Sequence, residues 1–196
     1  MTEICDQSFN RITVDVETST NDCFELACTG LADIPVLSSE SDPHYEQVKS
    51  VLLNHAKALA HAIVRDGEGA TKFVSVLVEG GVNENECLDV AYSLAESPLV
   101  KTALFAGVPN WVRFCMAIGK ASIEHIDINL IELWLDDVLV VKKGMLHSSY
   151  SEDQGIKVLE KDEFLVKVRL GRGVASAQIW TTDLSYDYVR INAEYR

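Results

Sequence analysis

Residues 63–73 read IVRDGEGATKF, and this stretch divides the chain into helix before and sheet after. Upstream of it, apolar residues recur at three- and four-residue steps, the spacing of a helix. Downstream, Lys72 to Glu79 reads KFVSVLVE, rich in β-branched residues and alternating as a strand does. The turn between them sets Gly67 and Gly69 either side of Glu68. Lacking a Cβ, each glycine can take a positive φ or let another group come close. The Glu68 carboxylate therefore sits on a tight turn, where it is either a solvated, idle charge or the holder of a cationic or amine-bearing substrate.

Moving upstream, Ser41, Asp42 and Pro43 form a helix-start signal. The helix is predicted to run to about Val64, with Val48, Val51, Leu52, His55, Leu59 and Ile63 as its buried stripe. His55 falls on that face and His61 near its edge, both as packed histidines, since no second ligand stands at a metal-binding spacing. Residues 31 to 42 read as a loop. Cys23 to Thr29 reads as a short helix stopped by Gly30. The polar run Thr18, Ser19, Thr20, Asn21, Asp22 before it serves either as its cap or as the lining of a pocket. Residues 8–18, SFNRITVDVET, alternate with Ile12, Val14 and Val16 on one face, the pattern of a half-buried strand.

Downstream, Gly80 and Gly81 end the strand, and Asn83 with Glu86 three residues on makes a capping-box pattern. The helix that follows buries Leu88, Ala91, Leu94 and Ala95. Ser97 and Pro98 interrupt it, and Leu99 to Phe105 resumes an apolar pattern that carries Lys101 and Thr102. Asn110 can cap a helix over Trp111 to Lys120, with Trp111, Phe114, Cys115 and Ile118 as core. Strands are predicted over 127–135, 138–142, 164–170 and 175–182, with a short helix around 151–161. Gly171-Arg172-Gly173 reads as a hairpin turn and not as a phosphate loop. The terminal DLSYDYVRINAEYR mixes aromatics with strand formers and is expected to be docked. The order of elements is that of an α+β protein with mixed sheet and helix layers, divided near Ala70 into a 1–70 segment and a 71–196 C-terminal α+β domain.

The 196 residues suffice for a sizeable core. With 17 Lys and Arg against 30 Asp and Glu, the net charge of -13 makes nucleic acid and anionic membrane poor partners and leans toward cationic ligands. Five cysteines, without a CxxC pair, read as reduced, buried apolar residues with no disulfide framework or zinc site. MTEICDQSFN has neither a basic nor an apolar leader region, so a soluble, cytoplasmic chain is expected. No GxGxxG after a strand, Walker sequence, HExxH or GxSxG occurs.

Six segments in register resemble one family. They are SFNRITVD at 8–15, TSTND at 18–22, IVRDGEGATKFV at 63–74, SPLVKTALF at 97–105, PNW at 109–111 with Arg113, and DLSYDYVRINAEYR at 183–196. Together they are similar to ornithine acetyltransferase, the bifunctional glutamate N-acetyltransferase of arginine biosynthesis. The resemblance implies the beta-chain fold of that family and a transfer in two covalent stages. A threonine freed at the beta-chain N-terminus takes acetyl from N-acetylornithine and passes it to glutamate, while an oxyanion hole on the alpha chain steadies the tetrahedral intermediates. It implies no cofactor and no metal. Its partners would be the alpha chain, N-acetylornithine and glutamate, with acetyl-CoA as a further candidate, in an oligomer. It places the family's substrate-binding glutamate on Glu68 and its near-terminal asparagine on Asn192.

There are also departures. Seven residues precede Ser8, too few to reach the family's nucleophilic threonine, so Thr2 is no replacement and the chain is expected to be inactive alone. The alpha-chain threonine and glycine of the oxyanion hole are absent. The family's further substrate-contacting threonine would follow Arg196. Val16 and Glu17 stand where the family has Gly-Asp, and Val112 where it has glycine, which bears on backbone geometry beside the site. Two readings stand: a beta-chain part that binds substrate while the nucleophile lies elsewhere, or a non-catalytic remnant or interaction module that keeps the scaffold.

Overall fold

A computed structural model of the chain describes residues 1–33 and 36–194. Part of the predicted 31–42 loop and the terminal match at Arg196 lie outside the described residues. In chain order the elements are α1 (Thr2–Asp6), β1 (Ile12–Thr13), α2 (Tyr45–Arg65), β2 (Phe73–Gly81), α3 (Glu84–Ala95), α4 (Pro98–Phe105), α5 (Trp111–Gly119), β3 (Glu132–Leu135), β4 (Val138–Lys142), β5 (Met145–Leu146), α6 (Glu152–Leu159), β6 (Glu163–Arg169), β7 (Ala175–Thr182) and α7 (Tyr186–Glu194).

The described strands form one mixed sheet in the order β1-β7-β2-β6-β3-β4-β5. β2 is its spine, parallel to β6 and antiparallel to β7, with Val76 opposite Val166 on one side and Ile179 on the other. β1 joins the far edge by pairing in parallel with β7. Because side chains alternate along a strand, Val74, Val76 and Val78 share one face. There they meet Cys87, Val90, Ala91 and Leu94 of α3 and Phe114, Ala117 and Ile118 of α5 in the main core. Phe114 is fully buried, and truncating such a side chain costs about 3–5 kcal/mol. Phe73 and Trp180 point to the opposite face, where with Val64 of α2 and Ile12 they form a second, much smaller cluster. The fold is α+β, with the sheet between α3–α5 on one side and α2 on the other.

The helix starts follow their caps. Asn83, Ser97 and Asn110 accept from the third backbone N–H of α3, α4 and α5, and Ser151 closes a capping box with Gln154 on α6. Glu86 departs from its expected capping role. Its carboxylate takes the Val82 N–H and pairs with Arg172 at 2.9 Å.

Several expectations are corrected. The strand expected over 8–18 is confined to Ile12–Thr13. Past it, Thr13 Oγ1 accepts from Val16 N–H at 3.2 Å and Asp15 Oδ1 from Glu17 N–H at 3.1 Å, local bonds that compete with a ladder. Cys23–Thr29 forms no helix and is exposed throughout, since so short a segment does not nucleate without a packed face. Cys23 and Cys28 are accordingly exposed, not buried. α2 begins two residues late because Asp42 Oδ1 accepts from the His44 N–H at 2.9 Å, capping a turn ahead of the helix. β3 starts at Glu132, Asp127 being held in a turn by the Asn129 N–H at 2.9 Å. Gly171-Arg172-Gly173 is no hairpin, because β6 and β7 flank β2. The loop arches over the end of β2, with the Arg172 and Gly173 N–H groups donating to Gly80 O at 2.7 and 2.8 Å.

The largest correction concerns α2. Its buried residues are Ala56, Ala60 and Val64, spaced by four, whose small side chains let the helix lie close to the sheet. The predicted stripe is turned away, with Val48, Val51, His55, Leu59 and Ile63 all exposed. The two apolar faces lie roughly 120° apart at 100° per residue, so α2 is apolar on far more of its circumference than one packing layer uses. His61 is the packed histidine, with its ring 4.3 Å from Trp180 and 5.3 Å from Phe73. Burial pushes its pKa down.

Candidate functional site

The turn after α2 is built as its glycines require. Gly69 takes φ +66°, and a Cβ there would lie 2.5 Å from Tyr188 N and 2.7 Å from Ser185 Oγ, so no other residue fits. The close approach brings the first turn of α7 against the turn that carries Glu68. One helical turn further along, Asn192 Nδ2 donates to Glu68 Oε2 at 2.6 Å and to Tyr188 O at 3.0 Å. The two residues singled out in the sequence, far apart along the chain, therefore touch. Both are exposed, so they meet on an open surface and not in an enclosed hollow.

The terminal segment reaches this position as a helix and not as the strand-like piece its composition suggests. Ser185 Oγ accepts from Tyr188 N–H at 3.2 Å, fixing the start of α7, and donates to Gly69 O at 2.6 Å. Tyr186 and Val189 remain exposed, so the segment is anchored by polar contacts rather than by burial.

Behind the surface lies a buried polar hub. Asp183 accepts from Thr71 N–H at 2.8 Å, Lys72 N–H at 3.0 Å, Thr71 Oγ1 at 2.5 Å and Thr182 Oγ1 at 3.0 Å. It thereby locks the exit of the glycine turn to the end of β7. Lys101 of α4 enters from beneath, 3% exposed, its ammonium donating to Thr181 Oγ1 at 3.1 Å and to Thr182 O. Burial pulls the Lys101 pKa down to about 8, and the charges of Asp183, Asp15 and Glu96 only partly offset it.

Tyr188 links α7 to the stretch after β1, its hydroxyl donating to Asp15 Oδ2 at 2.9 Å. Its pKa is raised by burial first, then by that hydrogen bond and by the charges of Asp15, Glu68 and Glu17. Carboxylates from two separate segments thus converge around one tyrosine, a negative field suited to an amine cation. Beside them Val16, where the resembled family has glycine, adopts φ +81°. For a β-branched residue this is a strained backbone.

Sequence reading found Glu68 and Asn192 and missed Asp15, Lys101, Asp183 and Tyr188. A signal existed for Lys101, a lone cation inside an apolar helical run beside Val100, Ala103 and Leu104, which are all buried. An apolar groove of about 420 Å³ lies elsewhere, lined by Ile4, Leu26, Leu37, Tyr45, Val48 and Leu52, and shares no residue with this network. Among the described residues, no three His, Cys, Asp or Glu side chains gather as metal ligands.

Comparison with known proteins gives a consistent result. The ArgJ family model matches residues 1–196. The chain is 49% identical over 190 residues to the arginine biosynthesis bifunctional protein ArgJ of Pseudomonas syringae pv. tomato, covering 97% of this chain and 47% of that protein. It is 47% identical over 196 residues to the ArgJ protein of Pseudomonas fluorescens, covering all of this chain and 48% of that one. It thus spans about half the length of the curated relatives it matches. A crystal structure of the arginine biosynthesis bifunctional protein argJ from Bacillus halodurans superposes with a TM-score of 0.92 at 36% identity, covering 99% of this chain and 90% of that chain. Matched to the family along its whole length and to a solved member in fold, the chain belongs to the ArgJ family.

Proposed function

We propose that this chain is the beta-chain part of a glutamate N-acetyltransferase that moves acetyl from N2-acetylornithine to glutamate in arginine biosynthesis. Glu68 and Asn192 hold substrate, and the nucleophile comes from a segment outside this chain. The observation that carries the reading is the 2.6 Å contact between Glu68 and Asn192 across 124 positions of sequence. A carboxylate on a rigid glycine turn offers a counter-charge to an amine, and an amide both donates and accepts toward an amino-acid moiety. In the reaction, a hydroxyl oxygen bonds to the acetyl carbon, the amide C–N bond breaks, and the proton leaves on the ornithine amine. The glutamate amine then bonds to the acetyl carbon, the ester C–O bond breaks, and a proton of the amine returns to the oxygen to restore the hydroxyl. Acetyl-CoA is a second candidate donor.

In this reading residues 1–70 belong to the catalytic layer and 71–196 form the C-terminal α+β domain of a cytoplasmic heteromer with an alpha chain. The uncovered apolar face of α2 and the small cluster on that side of the sheet support such a partner. Among the described residues no helix is long and apolar enough to cross a membrane.

A second reading, a non-catalytic scaffold, is favoured by the strained Val16 next to Asp15. Mixing the chain with the part of an ArgJ relative that it does not span, and following ornithine release from N2-acetylornithine in the presence of glutamate, separates the two. Turnover supports the enzyme reading, and a stable but inactive complex supports the scaffold.

A further inference from the structure

Both arms of the Glu68–Asn192 contact hang from one short segment, residues 181–185. Asp183 holds Thr71 and Lys72 at the exit of the glycine turn, and Ser185 holds Gly69 and the first turn of α7. What fixes that segment is Lys101. Its ammonium bonds the Thr181 hydroxyl and the Thr182 carbonyl, and its own carbonyl accepts from Leu184 N–H at 3.2 Å. It makes no carboxylate contact short enough for an ion pair among the described residues. A charge buried to this degree without a direct partner is costly, yet an apolar side chain could not hold the segment through these bonds.

We propose that Lys101 is the positioning residue of the Glu68–Asn192 site, its buried ammonium setting the 181–185 segment from which the glycine turn and α7 take their relative placement. The ligand-binding consequence rests on the reading of Glu68 and Asn192 as substrate-holding residues. The structural consequence does not. Asp183 from the end of β7, Asp15 after β1 and Glu96 at the end of α3 are the charged groups that face Lys101.

The test has a wild-type arm and a variant arm. On the wild-type protein, NMR follows the Lys101 Cε resonance, the Thr71 and Thr182 methyls and the Asn192 side-chain amide carbonyl through alkaline pH. The expected result is one shared midpoint near the depressed Lys101 pKa of about 8. Site resonances that stay still while Lys101 titrates overturn the proposal. In the Lys101→Met protein, the Thr71, Thr182 and Asn192 resonances should shift while those of Phe114 and Leu133 in the core stay put, and Lys101→Arg should bring them part of the way back. Unmoved site resonances in a folded Lys101→Met protein also overturn it. Calorimetry with N2-acetyl-L-ornithine, on the chain combined with the complementary part of a relative, should show affinity reduced at least about tenfold in Lys101→Met. Absence of binding in the wild type would count against the substrate reading alone, since the NMR arms judge Lys101 without ligand.

Discussion

Asn192 of the last helix donates its amide to the Glu68 carboxylate of the glycine turn at 2.6 Å. The contact depends on backbone at both ends. Gly69 at φ +66° leaves room for the start of α7, and the four-residue helical step puts Asn192 over Tyr188, whose carbonyl it also bonds. The pair is thus a product of helix geometry and of one missing Cβ.

Val16 sits at φ +81° with its side chain half exposed. A left-handed β-branched residue costs about 1–2 kcal/mol, and glycine forfeits about half to one of these through its freer unfolded state. Val16→Gly is therefore expected to stabilise the fold by up to about 1 kcal/mol, raising Tm by about 2–4 °C for a chain of this size. A lowered melting temperature would contradict the strain assignment.

Asp183 is buried and accepts from four donors. Asp183→Ala leaves the Thr71 and Lys72 N–H groups unpaired and removes the largest of the negative charges that offset the burial of Lys101, an expected loss of about 3–5 kcal/mol. The midpoint of urea unfolding reads it. A loss below about 1 kcal/mol would mean that the hub is not structural.

Lys101 gives a pH dependence with a defined sign. Its folded pKa is depressed to about 8 from 10.5, so between those values the unfolded chain binds more protons than the native one. Stability contributed by this group then rises with pH, by about 3 kcal/mol across the window. Lys101→Met removes that increment. Unfolding curves at pH 8 and 10.5 should show wild type gaining on the variant, and parallel behaviour would contradict the burial of a charged lysine.

The outward face of α2 predicts a separation between folding and association. Leu59→Glu with Ile63→Glu alters exposed positions and should leave the Tm of the isolated chain within about 2 °C, as surface changes do. Ala60→Glu on the buried face should unfold it. If the outward stripe is covered by the alpha-chain part, the double variant should lose association with that part by at least about tenfold in sedimentation experiments. Unaltered association would place the partner elsewhere.

Legibility in the sequence followed local physics. The caps Asn83 and Asn110, the Ser97-Pro98 break, and the alternation Val74, Val76, Val78 announce elements whose neighbours lie within this chain. The stripe Val48, Val51, Leu59, Ile63 is equally clear as a pattern. Periodicity reports an apolar face without reporting which surface covers it, so the stripe reads as core while Ala56, Ala60 and Val64 do the packing. The aromatics and β-branched residues of the terminal segment do not announce a helix, which Ser185 and the Gly69 contact start there. Glu68 is legible in its glycine turn, Gly67 and Gly69 on either side, while Asn192 is reached only through the family resemblance. Asp183 is not legible, because its role arises from contacts spanning the chain that no local spacing encodes, and Lys101 shows locally only as a lone cation in an apolar run, without its partners Thr181 and Thr182.

The most direct measurement of the central claim, that Glu68 and Asn192 act as one substrate-holding pair, is a double-mutant cycle on N2-acetyl-L-ornithine binding. It uses Glu68→Gln, Asn192→Ala and their combination in the chain joined to its complementary part. Each single change should weaken binding about tenfold or more, the scale of a lost charge-assisted hydrogen bond. The combination should be little worse than the weaker single variant, because the two act together. Fully additive losses, or wild-type affinity in Glu68→Gln, would contradict the account.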